Sequence, residues 1–362
     1  MMILSYKGGV AMAQQFYDGN KLLSLKDVEK KEPEIFICTS NRNAGKTTFF
    51  SKKLVTDFLK KGKKFCLLYR YAYECNNVAD KFFNDIGQLF FQDYIMTQEP
   101  GEKDTFVYLY LQLRNDPDSK VLCGYCVAIN KAVALKKLSH LIQADVLFFD
   151  EFQPEDGQYA PDEISKFQSV HTSLARGRGE QVRYLPVIMC SNFVSLLNPY
   201  YTAMGIAERL QSNTNFLRGN GWVLEQGLNA SASNANRLSA FNRAFKNSEY
   251  SKYASEKFYL NDDNSLIQKI EGDNQYLLTF RYDKKEYAVR YYTGIDIVYV
   301  NQNVDRSCLQ RYAVTTDDMT EDTRLIKGNV VVLGRLRAAF DEGAFRFYNL
   351  ECRAAAFALL SY

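Results

Sequence analysis

The stretch Glu34-Ile35-Phe36-Ile37-Cys38-Thr39-Ser40-Asn41-Arg42-Asn43-Ala44-Gly45-Lys46-Thr47 decides the fold of the first half of this chain. Glu34 to Ser40 is a short apolar run and reads as a buried strand. Asn41 to Gly45 reads as a turn. A helix follows from Lys46 to Lys61, with Gly62 as its stop signal. Strand, tight turn ending Gly-Lys-Thr and helix form a phosphate-binding loop. Backbone N–H groups of the loop and of the helix N-terminus aim at phosphates. In this arrangement Asn41, Asn43, Ala44, Gly45, Lys46, Thr47 and Thr48 are the candidate ATP-binding residues. Gly45 lets the backbone approach closely, Lys46 neutralises the β- and γ-phosphates, and the Thr47 hydroxyl holds Mg²⁺. One position departs from the pattern: Ser40 stands where its first Gly belongs.

About a hundred residues further on, Asp145-Val146-Leu147-Phe148-Phe149 is a second apolar strand, and it ends in Asp150-Glu151. Asp150 is the second Mg²⁺ candidate. Glu151 is the candidate general base that polarises the attacking water. Either element alone has an ordinary structural explanation; together they specify a site that hydrolyses ATP. The Glu beside the Asp points to P-loop ATPases with an additional strand between the two motif strands, not to GTPases or small kinases.

Working outward, strands are expected at 64–69, 105–113, 120–129 and 183–190, and helices at 77–92, 131–142 and 161–176. Strands alternating with helices argue a mostly parallel α/β sheet. Leu228 to Ser239 is rich in Asn, Ser and Ala and reads as a linker; residues 237–254 suggest short helical segments. From about 259 the chain turns strand-rich, with expected strands at 265–270, 275–282, 286–292 and 295–300 and helices near 331–340 and 349–361. The expected organisation is an ATPase domain over 1–227, a linker or lid over 228–258 and an α+β domain over 259–362.

Composition fits this reading. Hydrophobic residues are 46% and charged residues 24% of 362, a normal globular balance. The 25 Tyr and 25 Phe favour sheet. The net charge of +3 announces no nucleic-acid binder, so any DNA contact has to come from local basic patches. No apolar run approaches the roughly 20 residues that span a bilayer. Met1 to Ala13 lacks the apolar core of a secretory signal, and residues before Met12 read as a dispensable extension. The eight Cys are scattered, as in a reduced cytoplasmic setting. Cys123-Gly124-Tyr125-Cys126 has redox-pair spacing but lies inside an apolar strand, and His140 and His171 are isolated. None of these is read as a site.

Several segments together resemble the genome-packaging ATPases of small tailed phages, the phi29-like group of the terminase large-subunit class. They are Phe16-Tyr17 with Lys21-Leu22-Leu23-Ser24, Arg42 four residues before Lys46, and Phe149-Asp150-Glu151-Phe152 with Tyr159, Pro161 and Glu163. Arg176-x-Arg178, Cys190-Ser191-Asn192, Asn198-Pro199-Tyr200 and Thr315-Thr316-Asp317-Asp318 complete the set. The resemblance implies a homo-oligomeric ring, in this group a pentamer, at the portal vertex of the procapsid in the host cytoplasm. It would thread double-stranded DNA inward using ATP, without any membrane. It implies Arg42 as a γ-phosphate sensor in cis, Arg176 as a finger reaching the neighbouring subunit's site, and Arg178 as the substitute. Ser191 and Asn192 would couple phosphate state to movement, Phe16 and Tyr17 would pack near adenine, and Lys131, Lys136 and Lys137 would contact DNA phosphates.

The same resemblance implies an RNase H-like C-terminal domain. The strand expected at its centre, Gln275 to Tyr282, holds no carboxylate; Asp283 follows it and Asp296 opens another strand. Residues 281–362 carry 12 Lys and Arg against 11 Asp and Glu, so the domain is neither an acidic metal cluster nor strongly basic. A vestigial nuclease is expected, docking on portal, DNA or the structural packaging RNA that some members use. The alternative reading is another oligomeric P-loop nucleic-acid ATPase, a helicase or replication ATPase. A nucleotide-gated assembly protein without turnover is a third reading, and intact Glu151 argues against it.

Overall fold

In the computed structural model the described residues are 17–176, 181–196, 198–206, 209–210, 214–245, 248 and 266–360. The chain divides into two compact units, residues 1–261 and 262–362.

The first unit opens with α1 (Asn20–Leu23), β1 (Ile35–Ser40), α2 (Lys46–Lys61), β2 (Phe65–Tyr69), α3 (Val78–Phe90), β3 (Tyr94–Pro100), β4 (Phe106–Leu113) and β5 (Asp116–Ala128). It continues with α4 (Ala132–Leu138), β6 (Val146–Asp150), α5 (Glu163–Leu174), β7 (Val187–Ser191), α6 (Pro199–Ala203), β8 (Phe216–Arg218), β9 (Trp222–Gly227), α7 (Ala230–Leu238) and α8 (Ala240–Ala244). Nine strands form one sheet in the order β3-β4-β5-β2-β6-β7-β1-β9-β8. The six central strands, from β5 to β9, pair in parallel, and antiparallel strands finish both edges.

Central parallel strands are covered on both faces, which is why they read as unbroken apolar runs. Successive side chains alternate between two cores. Cys66, Leu68, Leu147, Phe149, Val187 and Met189 pack under α4 and α5. Phe65, Leu67, Phe148, Ile188 and Cys190 pack under α2 and α3, against Phe50, Leu54 and Phe83. The result is a three-layer α/β/α unit. Strand β7 lies between β6 and β1, so the additional strand separates the two motif strands as the Asp-Glu pair implies. Gly124 permits the close approach of β5 to β2, because a Cβ there would stand 2.7 Å from the Phe65 carbonyl oxygen. Its neighbours Cys123 and Cys126 are buried in β5, the thiol of Cys123 pushed up to about 12 by burial and donating to the Leu109 carbonyl.

Three expectations need correction. The stretch expected as a linker contains α7, capped by the Asn229 side chain on the Ala232 N–H. The strand expected at 183–190 begins only at Val187. Arg183 instead folds inward to donate to the Ala144 and Leu174 carbonyls. The strand expected at 265–270 is reduced, within the described residues, to a bridge between Ile267 and Phe347. Most of the helical segments expected after Phe245 lie outside the described residues.

The second unit contains β10 (Gln275–Tyr282), β11 (Lys285–Tyr292), β12 (Ile297–Asn301), β13 (Arg311–Ala313), β14 (Arg324–Leu325), α9 (Val330–Asp341), β15 (Phe345–Phe347) and α10 (Leu350–Leu360). Its sheet order is β14-β13-β10-β11-β12-β15. An antiparallel meander, β10 to β12, carries parallel strands β13 and β14 beyond its first strand. That is the RNase H-like arrangement. Leu333, Leu336, Cys352, Ala355, Ala356 and Leu359 close the core over Leu278, Phe280, Val289 and Val300. Among the described residues no helix is long and apolar enough to cross a membrane.

Candidate active site

Parallel pairing brings the C-terminal ends of β1, β6 and β7 to one edge of the sheet, where open α/β sheets bind ligands. The turn after β1 is tight. Asn43 has φ 60° and Gly45 φ 91°, both left-handed, the latter at the N-cap of α2. Gly62, at φ 66°, ends the same helix. Arg42, Asn43, Ala44, Gly45, Lys46, Thr47, Thr48, Asp150, Glu151, Ser191 and Asn192 line one cavity of about 370 Å³. A second cavity of about 610 Å³ adjoins it and shares Arg42, Thr47, Asp150 and Glu151.

Lys46 is buried in the loop. Its Nζ donates to Ser40 Oγ at 2.9 Å and Asn192 Oδ1 at 3.2 Å. The residue that breaks the sequence pattern therefore has a use: the Ser40 hydroxyl receives the lysine. Burial pushes the Lys46 ammonium below the usual lysine range, while Asp150 and Glu151 nearby act in the opposite direction. A bound polyphosphate would remove that burial penalty by pairing the charge.

Thr47 Oγ1 donates to Asp150 Oδ2 at 2.7 Å. Cis ligands of octahedral Mg²⁺, at about 2.0–2.1 Å from the ion, stand roughly 2.9 Å apart. Two hard oxygens at this spacing, beside a phosphate loop, fit Mg²⁺ held by protein and substrate together. Burial raises the Asp150 carboxyl, with Thr47 and Lys46 opposing. Glu151 sits in a left-handed turn, φ 53°, that points it out of the strand line. Burial raises its carboxyl first, then the adjacent Asp150 and Glu155, while Arg42 acts the other way. A raised carboxyl is a better proton acceptor.

Arg42 forms an ion pair with Glu155, and Glu155 accepts from Asn192 Nδ2 at 3.4 Å. Arg42, Glu155, Asn192 and Lys46 thus form one polar chain across the cavity. Ser191 Oγ donates to the Asn192 carbonyl. Sequence reasoning did not name Glu155.

The acidic turn is held from behind. Arg70, at the end of β2, pairs with Glu163 at 2.8 Å, with side chains 7% and 1% exposed. Its Nη2 donates to the Phe152 carbonyl at 2.8 Å, and Tyr200 Oη donates to Glu163 Oε1 at 2.7 Å. Glu163 also accepts from the Ala160 N–H. Glu163, Tyr159 and Tyr200 belong to the resemblance; Arg70, their partner, went unread because a lone Arg after a strand carries no pattern.

Other candidates fall elsewhere. Asn41 is buried behind the loop and faces α7, donating to the Asn229 carbonyl and Ser233 Oγ, each at 3.1 Å. The Tyr17 ring packs on Phe49 and Phe50, its N–H donates to the Ala44 carbonyl and its hydroxyl to Glu225. Burial raises that phenol first. Phe16 and Arg178 lie outside the described residues. Arg176 is exposed just beyond α5. The adjoining Ala175 carbonyl pairs with Arg183, whose guanidinium reaches Ala144 at the N-terminal side of β6. Arg176 therefore sits at the sheet edge opposite to its own phosphate loop. Lys131, Lys136 and Lys137 are exposed on and beside α4, whose Ala132 and Leu135 face the core.

Comparison with known proteins agrees with the geometry. A family model described as Podovirus DNA encapsidation protein (Gp16) matches residues 12–362. The DNA packaging protein of Bacillus phage PZA is 25% identical over 348 residues, covering 95% of this chain and 96% of that protein. The DNA packaging protein of Bacillus phage phi29 matches to the same identity and extent. A chain of the bacteriophage Phi-29 viral genome packaging motor assembly shares the fold at a TM-score of 0.68 and 24% identity, covering 96% of this chain and 98% of that one. A chain of the Phi-28 gp11 DNA packaging motor shares it at 0.56 and 16%, covering 95% and 97%.

Proposed function

We propose that this chain, which belongs to the podovirus DNA encapsidation protein (Gp16) family, is the ATP-hydrolysing motor that drives double-stranded DNA through a portal into a procapsid. The observation that carries the reading is the convergence of Lys46, Thr47, Asp150 and Glu151 on one cavity, with β7 between the motif strands.

The roles follow from placement. Loop N–H groups and Lys46 receive the phosphates. Thr47 and Asp150 would hold Mg²⁺, which supplies charge neutralisation on the phosphoryl oxygens. Glu151 orients and deprotonates the attacking water. Arg42, parked on Glu155, is within the same cavity and exchanges that partner for the γ-phosphate when nucleotide is bound.

Arg176 lies at the opposite sheet edge, which supports action on a neighbouring subunit's site within a homo-oligomeric ring. The ring is read as a pentamer at the portal vertex, in the host cytoplasm. Exposed Lys131, Lys136 and Lys137 suit contacts with DNA phosphates, which need charge without base recognition.

We read the second unit as a nuclease fold without catalysis, used for docking on portal, DNA or a structural RNA. Asp283 and Lys284 occupy the β10–β11 hairpin turn with φ 51° and 62°, the left-handed pair of a tight primed turn. Asp296, also left-handed, accepts from the Tyr291 hydroxyl at 2.6 Å. Asp318 is buried and occupied by Thr315 Oγ1 and the Lys284 N–H. The Asp296 and Asp318 carboxylates are held by local hydrogen bonds, and Asp283 serves as a turn residue.

Purified protein tests this with procapsids and linear duplex. Protected DNA uptake that requires ATP supports packaging; strand separation without uptake would point to a helicase instead. Arg176→Ala subunits mixed with Glu151→Gln subunits should regain part of the lost turnover. No recovery in rings shown to be mixed would rule out a finger acting between subunits.

A further inference from the structure

Helix α7 touches the phosphate loop from the side opposite the nucleotide cavity. Strand β9 runs parallel to β1 with Gly227 beside Ser40, so the chain leaves β9 next to the start of the loop. Asn229 follows two residues later. The Asn41 side chain grips it at both main-chain groups: Nδ2 donates to the Asn229 carbonyl at 3.1 Å, and Oδ1 accepts the Asn229 N–H at 2.8 Å. Further bonds join the two segments. Asn229 Nδ2 donates to the Ala44 carbonyl at 3.3 Å. Asn236 Nδ2 donates to the Arg42 carbonyl at 3.2 Å, and its Oδ1 accepts Asn43 Nδ2 at 3.0 Å.

The consequence follows from peptide geometry. In a trans peptide, the C=O of one residue and the N–H of the next point in opposite directions. With the Arg42 carbonyl drawn toward Asn236, the Asn43 N–H is turned to the other side of the loop. With the Ala44 carbonyl drawn toward Asn229 and the Tyr17 N–H, the Gly45 N–H is turned likewise. That other side is the cavity lined by Asn43, Ala44, Gly45 and Lys46. Asn43 and Gly45 both have left-handed φ, a conformation that Asn and Gly adopt at little cost.

We propose that Asn229 and Asn236 are positioning residues of the nucleotide site, fixing two peptide planes of the phosphate loop so that the Asn43 and Gly45 N–H groups face the phosphates before nucleotide arrives. Donors that are already oriented need no reorganisation when charge arrives. The inference rests on the ATP-site reading and deepens it.

The test measures MgATP affinity, by calorimetry, and melting midpoint on the full chain. Asn229→Asp keeps an acceptor for the helix cap but replaces the donor to Ala44 by a carboxylate oxygen. Asn236→Ala removes both of its loop contacts. Each should weaken MgATP about tenfold, the effect of losing roughly one well-placed hydrogen bond, with a modestly lowered melting midpoint and a chain still folded at the assay temperature. Asn234→Ala, on the exposed face of the same helix, should bind as wild type. Asn43→Ala combined with Asn236→Ala should weaken binding by less than the product of the single effects, because the two share one bond.

Wild-type affinity in both Asn229→Asp and Asn236→Ala would overturn the inference while leaving the ATP site standing. So would an equally large affinity loss in Asn234→Ala. A wild-type chain that binds no MgATP would sink the ATP site itself and the inference with it.

Discussion

In the first unit, Asp150 and Glu151 end β6 at a sheet edge, where Asp150 accepts from Thr47 Oγ1 and the Glu151 N–H and both residues line the cavity. In the second unit, Asp283, Asp296 and Asp318 also follow or flank strands, yet each is spent on a turn or a local bond. Both sheets pack apolar side chains under helices. What separates them is topology. Five parallel pairings align six strand ends at one edge and leave a crevice there. An antiparallel meander closes its strand ends with hairpins, and the polar residues at those ends become turn formers. Chemistry is therefore expected at the first edge and architecture at the second.

The contrast can be attacked at four points. The largest effect should come from Arg70→Met. It leaves the Glu163 carboxylate buried without its cation, a change that costs about 3 kcal/mol or more. Chemical denaturation should show that loss, and Glu151-dependent turnover should fall because the Phe152 carbonyl loses its anchor. An Arg70→Met chain as stable as wild type would mean the acidic turn needs no support.

Lys46→Ala should weaken MgATP binding about a hundredfold, or ~2.7 kcal/mol, through loss of a charge-assisted contact. Titration calorimetry reads this directly; wild-type affinity would displace the phosphates from this loop. Asp318→Ala should cost about 1–2 kcal/mol by leaving the Lys284 N–H unpaired, with ATP turnover unaltered. A fall in turnover with no loss of stability would show that the second unit's carboxylates do more than hold turns.

The smallest effect is expected of Asp283→Asn. Asn tolerates the left-handed turn as well as Asp, so stability should stay within about 0.5 kcal/mol. The variant also bears on the nuclease question. Metal-dependent cleavage of plasmid DNA by wild type, abolished in Asp283→Asn, would reverse the reading of the second unit.

Much of the first unit was legible because strong local signals bracket its elements. Helix α2 spans Lys46–Lys61 as read, since left-handed glycines stand at both ends. Buried strands β1, β2 and β6 announce themselves as apolar runs. Edge strands did not. Strand β3 contains Thr97, Gln98 and Glu99, and its antiparallel pairing to β4 supplies what its composition lacks. Strands β13 to β15, of three residues or fewer, are too short to show a period.

The candidate site was legible in its reacting groups and opaque in its supports. Lys46, Thr47, Asp150 and Glu151 follow from chemistry that demands those residue types at those places. Asn229 and Asn236 do not. Helix α7 is held to the loop by amide bonds, not by an apolar face, so Asn-, Ser- and Ala-rich composition read as a linker. Arg70 and Glu163 are 93 residues apart, and only the fold brings them together.

Glu151, on this edge, is proposed to activate water for ATP hydrolysis coupled to duplex DNA. Steady-state ATP turnover with and without linear duplex, for wild type and Glu151→Gln, tests it most directly when MgATP affinity is measured alongside. Turnover in wild type should be stimulated by duplex. Glu151→Gln should lose at least about a hundredfold with nucleotide still bound. Turnover in Glu151→Gln within a few-fold of wild type would contradict it.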